Sequence, residues 1–397
     1  MENQKPILTK HLTFLLALTC GIVVANMYYI QPIGTQIAQT FHITTSSVGI
    51  VTMLTQLGYA LGLLLLVPLG DVMDRRKLIV RMSALSSVSL LVAFFAPNFI
   101  LFALACLLIG LLSIVPQVII PYGAALAGPA HRGKIMGTLL SGLLVGILLS
   151  RTVSGIVASY LPWKVIYLIA LVVIAGLTVL LQLKLPKNSL QVNRPGFSYR
   201  ETLRSIPHLV ARQRELREAA VNGFFMFGTF SIFWSTLIFY VSSPVYGWGT
   251  KEAGLLAIFG LAGAVAAPIV GRLADDYSER HIVLMGLSMQ TASFILLFFF
   301  GSHLAALILA IVLLDIGNQF GQVANQTRVQ ALSDTASNRN NTVFMFTYFI
   351  GGSFGSLIGT TMWEHHGWFG VTIVGLLFQL LAYVCHFLVF HPEHDLN

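Results

Sequence analysis

Two ionisable residues stand deep inside long apolar runs of this sequence, and their types set the chemistry open to it. Asp315 lies about twelve residues into one run, roughly 18 Å from its end at the helical rise of 1.5 Å per residue. Arg151 lies at a comparable depth in another. A charged group that deep in hydrocarbon costs at least about 2.5–3.5 kcal/mol, so both must face protein or water. A carboxyl balanced between desolvation and a nearby cation takes up and releases protons as its surroundings change. A guanidinium offers a planar fork of donors to a carboxylate or phosphate group. The two residues are therefore candidates for proton coupling or substrate binding, against the plainer alternative of a fixed internal ion pair.

Around Asp315 the spacing is informative. Asp315, Gln319, Gln322 and Gln326 step by four, three and four, which puts them on one helix face, with Asn318 and Asn325 flanking it. The stripe runs about 16 Å along the helix. A polar face of that length cannot lie against lipid, so it is one wall of an aqueous cavity or a polar seam against another helix. Asn26, Tyr29 and Gln31, with Gln117 farther on, are further polar candidates. Tyr28 and Tyr29 suit either stacking on a substrate ring or a belt at the membrane surface. Asn222, Trp234 and Tyr240 complete the set. Glu364-His365-His366 has the residue types of a metal site but is a single short cluster, and no metal or other cofactor is expected.

Composition fixes the elements that hold these residues. The chain is 56% hydrophobic and 10% charged, with a mean hydropathy of +0.81, whereas soluble domains carry about 25% charged residues. It has too little polar surface to cover itself in water and needs lipid as part of its solvent. A bilayer core takes roughly 20 residues of helix to cross. Runs of that length fall at 12–36, 47–70, 77–96, 99–127, 135–160, 163–184, 217–241, 252–273, 281–300, 303–329, 342–362 and 368–390. Hydrocarbon offers backbone groups no partners, so such runs must be helices. The expected fold class is an all-α membrane protein with twelve transmembrane helices in two pseudo-symmetric six-helix bundles.

The net charge of +8 raises nucleic acid as a partner, but its placement excludes one. With the N-terminus inside, Lys164 and Lys251 fall in outer loops and Arg151 in a helix, and the other Lys and Arg residues fall inside. That asymmetry follows the positive-inside rule and predicts both termini in the cytoplasm. Cys20, Cys106 and Cys385 are scattered through apolar helix and read as small packing residues. The first span is too long for a cleaved signal peptide and lacks a small-residue cleavage site. Gly142 and Gly146, and Gly351, Gly355 and Gly359, form small-residue ridges that let helices approach closely.

The two halves repeat. Gly70-Asp71-Val72-Met73-Asp74-Arg75-Arg76 follows the second span, and Leu273-Ala274-Asp275-Asp276-Tyr277-Ser278-Glu279-Arg280 follows the eighth. Asp71 and Asp275 are 204 residues apart, as are Arg76 and Arg280. Arg132 and Arg339 are 207 apart, and Trp163 and Trp368 are 205 apart. So constant an offset marks a duplication, with halves at 1–184 and 217–397 joined by a basic cytoplasmic linker at 185–216. Duplicated halves place a substrate site at the repeat interface near the bilayer midplane. Within the linker, Tyr199 to Leu216 is predicted to be an amphipathic helix on the inner membrane surface, its basic side chains suited to anionic headgroups, or else a plain tether.

At these residues the sequence resembles the major facilitator superfamily, over essentially its whole length. The family's loop signature after the second helix of each half runs Gly-x-Leu-Ala-Asp and then basic residues. Gly271, Leu273, Ala274, Asp275 and Arg280 match it in the second copy. Leu69, Gly70, Asp71, Arg75, Arg76 and Lys77 match it in the first, where Val67 and Asp74 replace two glycines. Ala25 to Pro32, Gly58 to Gly62, Ser150 to Gly155 and Asp315 to Arg328 are similar to bacterial efflux permeases of the drug–proton antiporter and arabinose-efflux type. The resemblance implies that helices 1, 4, 7 and 10 line a central cavity. It implies a gating role for Asp71, Arg75, Arg76, Asp275 and Arg280, in which the acid engages the positive N-terminal end of a helix in the opposite half.

The function so implied is secondary active transport by alternating access, as proton-coupled export of small polar or amphipathic organic molecules. The protein is expected to be a monomer in the bacterial cytoplasmic membrane. Two features of many drug–proton antiporters do not carry over. Cys106 stands where an arginine precedes Gly110, and Asn26 stands where helix 1 carries an acid. The alternatives are an importer or uniporter of a small organic anion held by Arg151 and, in another class, a non-transporting membrane sensor. No nucleophile–base set, P-loop or zinc-helix motif is visible, so no enzymatic activity is expected.

Overall fold

The computed structural model describes residues 8–71, 73–127, 131–186, 199–333 and 336–389, and every regular element among them is helical. In chain order the helices are α1 (Lys10–Ala25), α2 (Gly34–Phe41), α3 (Thr45–Leu65), α4 (Arg75–Phe95), α5 (Phe99–Leu112), α6 (Val115–Ala127), α7 (Arg132–Tyr160), α8 (Val165–Lys184), α9 (Tyr199–Arg212), α10 (Arg214–Ser242), α11 (Thr250–Leu256), α12 (Leu261–Asp276), α13 (Glu279–Phe300), α14 (Leu304–Ala331) and α15 (Ser337–Val384).

Nine helical stretches among the described residues are long and apolar enough to cross a bilayer. Local geometry accounts for the difference from twelve. The first predicted span breaks after Ala25, leaving α1 only 16 residues long. Its chain then turns through tight bonds, Met27 N to Val24 O at 3.2 Å and Tyr28 N to Ala25 O at 3.0 Å. A 3-10 turn over Gln31–Ile33 follows, with Pro32 at its start, where a missing N–H costs nothing. The eighth span is likewise divided, into α11 and α12, by a 3-10 turn over Ala257–Gly260. Conversely, α15 is two helices run together. Gly367, at φ 60° and ψ −152°, bends the chain between them, a conformation glycine tolerates best.

Packing divides the chain into two compact units. The first comprises Met1–Ile43, Leu54–Thr202 and Trp248–Ile258. In it α1 lies against α7 with backbone on backbone. A Cβ on Gly142 would fall 2.8 Å from the Ala17 carbonyl carbon, too close to accommodate. Thr152 of α7 donates to the Gly254 carbonyl of α11 at 2.9 Å. Cys20 and Cys106 are buried there as packing residues, while Cys385, in the other unit, is half-buried.

The second unit comprises Thr44–Met53, Leu203–Gly247 and Phe259–Asn397. The first turns of α3 belong to it, and Glu364 of α15 caps them by accepting from the Ser46 N–H at 2.8 Å. α10 and α15 meet along the glycine ridge. A Cβ on Gly351 would fall 2.6 Å from Phe224 Cα, and one on Gly355 would fall 2.8 Å from Gly228 Cα. Gln379 ties α15 to both neighbours, donating to Thr229 Oγ1 and Gln290 Oε1 at 2.8 Å each.

Gly355→Leu must force α10 and α15 apart, and overpacking of this kind costs about 1–3 kcal/mol. Its melting temperature in detergent should fall well below that of Gly137→Leu or Gly176→Leu, positions with nothing within 4 Å of an added Cβ. Equal melting of the three variants would show that the ridge does not hold the helices.

Candidate functional site

In the first unit the broken end of α1 is the organising feature. Breaking a helix inside an apolar core exposes backbone groups that must find partners. α7 supplies them. Ser154 donates to the Tyr29 carbonyl at 2.6 Å. One helical turn away, Arg151 donates from Nε to Gln31 Oε1 at 2.5 Å. Its guanidinium carbon lies 4.9 Å from the centre of the Tyr28 ring, a cation–π contact. Arg151 is only 1% exposed. The sequence candidates Gln31 and Arg151 thus meet directly, and Tyr28 joins them. Asn26, at the break itself, is buried, and both atoms of its carboxamide lack a hydrogen-bond partner among the described residues. It presents a donor and an acceptor for a bound molecule or water. Tyr29 is buried beside them. Gln117 donates to the hydroxyl of buried Tyr59 at 3.1 Å, a partner the sequence reading did not include.

In the second unit α14 carries the polar stripe. Asp315 is 6% exposed. Glycine at 263 lets α12 lie closely on it, since a Cβ there would fall 3.1 Å from Asp315 Cβ. Below it the stripe is partly tied to α15. Asn318 donates to the Tyr348 hydroxyl at 2.9 Å, and that hydroxyl reaches Gln322 Oε1 at 3.2 Å. Tyr348 is itself held by stacking on Phe227, with ring centres 4.1 Å apart. Gln326 donates to Asn341 Oδ1 at 2.9 Å. Gln319, Gln322 and Gln326 remain half-buried. Asn325 is fully buried, its amide atoms without a partner among the described residues.

The gating candidates divide. Arg75 donates to the Gly70 carbonyl at 2.9 Å, and Arg76 to the Gln182 carbonyl at 2.5 Å. Asp74, which replaces a family glycine, caps α4 by accepting from the Arg76 N–H at 2.9 Å. The side chains of Asp71 and Asp275 lie outside the described residues.

Arg280 belongs to a cluster that sequence reasoning missed. Its Nε lies 3.2 Å from Glu218 Oε1, and Arg328 donates to Glu218 Oε2 at 2.8 Å. Arg280 also donates to the His386 carbonyl. The His386 ring lies 3.7 Å from the same carboxylate and 3.4 Å from Asn222 Nδ2. Glu218 is 3% exposed, and four helical segments, α10, α13, α14 and the π-helical turn Cys385–Val389, converge on it. The hint in the sequence is an acid one turn inside α10, with arginines at the ends of two other spans.

An open hollow of about 460 Å³ lies elsewhere in the first unit, lined by Gln36, Gln39, Thr40, Leu161, Pro162, Trp163 and Lys164. None of the deep polar residues borders it. Lys164 is turned into the protein, donating to the Ala96 carbonyl at 2.6 Å, and burial pulls its pKa down.

Comparison with known proteins bears on the whole chain. The family model described as Major Facilitator Superfamily matches residues 16–257 and 219–396. The transporter YgaY of Escherichia coli O157:H7 is 35% identical, over 98% of both chains. The transporter SCO4007 of Streptomyces coelicolor is 32% identical, over 93% of this chain and 85% of its own. Among solved structures, a bacterial homologue of the human lysosomal transporter Spinster, in an inward-facing and occupied conformation, superposes with a TM-score of 0.76 at 13% identity. That match covers 95% of this chain and 96% of the homologue. The nucleoside transporter NupG superposes with a TM-score of 0.72 at 15% identity, over 95% and 98%. Likeness at such low identity concerns the fold alone.

Removing one partner of a buried ion pair strands the other, at about 3–5 kcal/mol. Glu218→Ala strands two arginines and should lower the melting temperature more than His386→Gln does. If Glu218→Ala melts with the parent protein, the cluster is not a staple of the fold.

Proposed function

This chain belongs to the Major Facilitator Superfamily, and from that premise we propose that it exports small polar or amphipathic organic molecules in exchange for protons. Membership makes it a multi-pass membrane transporter, with twelve helices in two six-helix halves, and not an enzyme. The reading places it in the bacterial cytoplasmic membrane with both termini inside. Residues 1–184 and 217–397 act as the two halves, joined through 185–216, and open a central site to each side by turns.

One observation carries the reading. Arg151 and Asp315 are both buried within membrane spans, at 1% and 6% exposure. Ionisable groups in such places are expensive, and they mark ion or substrate pathways more often than they add stability. Asp315 is the proton carrier. Its proton affinity changes as water and substrate reach it, because both alter the desolvation of its carboxylate. Arg151, oriented by Gln31 and Tyr28, answers a charge on the cargo. Asn26, Tyr29, Gln31, Gln117, Asn318, Gln319, Gln322, Asn325 and Gln326 supply hydrogen bonds along the route. Asp71, Arg75, Arg76, Asp275 and Arg280 hold the inner gate.

Arg151 also favours a second reading. A guanidinium fixed on an aromatic face and an amide oxygen is pre-organised to take a carboxylate or phosphate. On that reading the protein is an importer or uniporter of small organic anions.

Proteoliposomes with an imposed pH gradient and a panel of neutral, cationic and anionic solutes separate the two. Proton-coupled export predicts gradient-driven accumulation that Asp315→Asn reduces at least about tenfold, equivalent to 1.4 kcal/mol of lost coupling, while exchange between the two sides persists. Full accumulation in that variant would remove Asp315 from the role. Anion movement independent of the gradient and lost in Arg151→Gln would replace the first reading with the second.

A further inference from the structure

The hollow among Gln36, Gln39, Thr40 and Lys164 takes no part in that mechanism, and it holds a cation without an acid. Lys164 donates to the Ala96 carbonyl at 2.6 Å and lies 5.4 and 5.6 Å from the centres of the Phe41 and Trp163 rings. No carboxylate pairs with it among the described residues, and burial pulls its pKa down, as it does for a charge short of solvation. An ammonium has three N–H donors, and the Ala96 carbonyl takes one. Gln36 donates from Nε2 to the Ala158 carbonyl at 2.9 Å, which leaves its amide oxygen open to the hollow. Gln39 is exposed beside it.

The duplication shows that the fold does not require this charge. Trp163 and Trp368 are 205 residues apart, and the same offset relates Thr45, which opens α3, to Thr250, which opens α11. It also relates Phe41 to Tyr246, Ala96 to Gly301 and Lys164 to Phe369. In the second half the Tyr246 hydroxyl donates to the Gly301 carbonyl at 2.7 Å. One copy satisfies this carbonyl with a neutral phenol, and the other with an ammonium. Gln36, Gln39 and Thr40 correspond to Val241, Pro244 and Val245. The same set of positions is apolar in one half and polar, with a cation, in the other.

From this contrast we propose that the hollow binds a small organic acid, its carboxylate on Lys164 and its hydroxyl groups on Gln36 and Gln39. One ammonium balances one carboxylate, and a carboxamide offers hydroxyls both donors and an acceptor. A volume of about 460 Å³ has room for a solute of several carbons. The hollow lies where α7 ends at Tyr160 and α8 begins at Val165, so it opens where two membrane spans surface. With both termini inside, that surface is the outer one. Neither Arg151 nor Asp315 borders it, so this site stands or falls apart from the central one.

The test is lysine acylation of the full-length protein in detergent, read by mass spectrometry, with gluconate as the probe and exposed Lys77 as the internal reference. Gluconate should slow labelling of Lys164 several-fold and saturably while Lys77 reacts unchanged. Glucose, which lacks the carboxylate, and sodium chloride at equal ionic strength should not. Protection should persist in Arg151→Gln, which separates this site from any anion at the central arginine. The double variant Phe41→Tyr, Lys164→Phe copies the second half's neutral arrangement. Made in the Arg151→Gln background, it should melt like that single variant and lose retention of radiolabelled gluconate in equilibrium dialysis. No protection by gluconate in the unsubstituted protein, or equal protection by chloride, overturns the proposal without recourse to any variant. So does protection by phosphatidylglycerol alone, which would make the hollow a seat for a lipid headgroup.

Discussion

Hydrocarbon bonds to nothing polar, and the rest of this structure follows from that constraint. A continuous helix satisfies its own backbone, so it can face lipid anywhere along its length. A helix that breaks cannot, and must be wrapped by protein where it does. The break after Ala25 obeys this rule. Ser154 takes the Tyr29 carbonyl, and Gln31 meets Arg151. The residues that repair the backbone are therefore neighbours of a deeply buried arginine. An interrupted helix and a buried arginine are two aspects of one local solution.

The same constraint sorts the charges into two kinds. Glu218 is held by Arg280 and Arg328 with His386 alongside, and its surroundings are built from four helical segments. Such a carboxylate has little freedom to change partners. Asp315 sits instead on a helix whose polar face continues below it through half-buried glutamines, beside a glycine that brings α12 close. Both acids are buried, yet their neighbourhoods differ in kind.

Much of this was legible in the sequence. Hydropathy gave most of the spans to within a few residues, because a bilayer crossing demands a minimum apolar length. The depth of Asp315 and Arg151, the polar stripe and the helix at Tyr199 were equally open to spacing and composition. What stayed hidden depends on neighbours across the fold. Hydropathy averages over a window, so it cannot see a helix end at Ala25 or a turn at Ala257–Gly260. Glu218 lies near the end of its helix, where a charge looks solvated, and its burial comes from helices distant in sequence. Tyr348 looked like one aromatic among many until its hydroxyl met Asn318 and Gln322. The glycines gave a ridge, but not which helix would fill it.

That ridge has an evolutionary corollary. At Gly228, Gly351 and Gly355 main chain of α10 lies against main chain of α15. The two must travel as a single girder, with their mutual angle frozen. Descendants of such a protein cannot easily retune cargo preference by tilting these helices. Diversification is left to individual side chains projecting from a common frame.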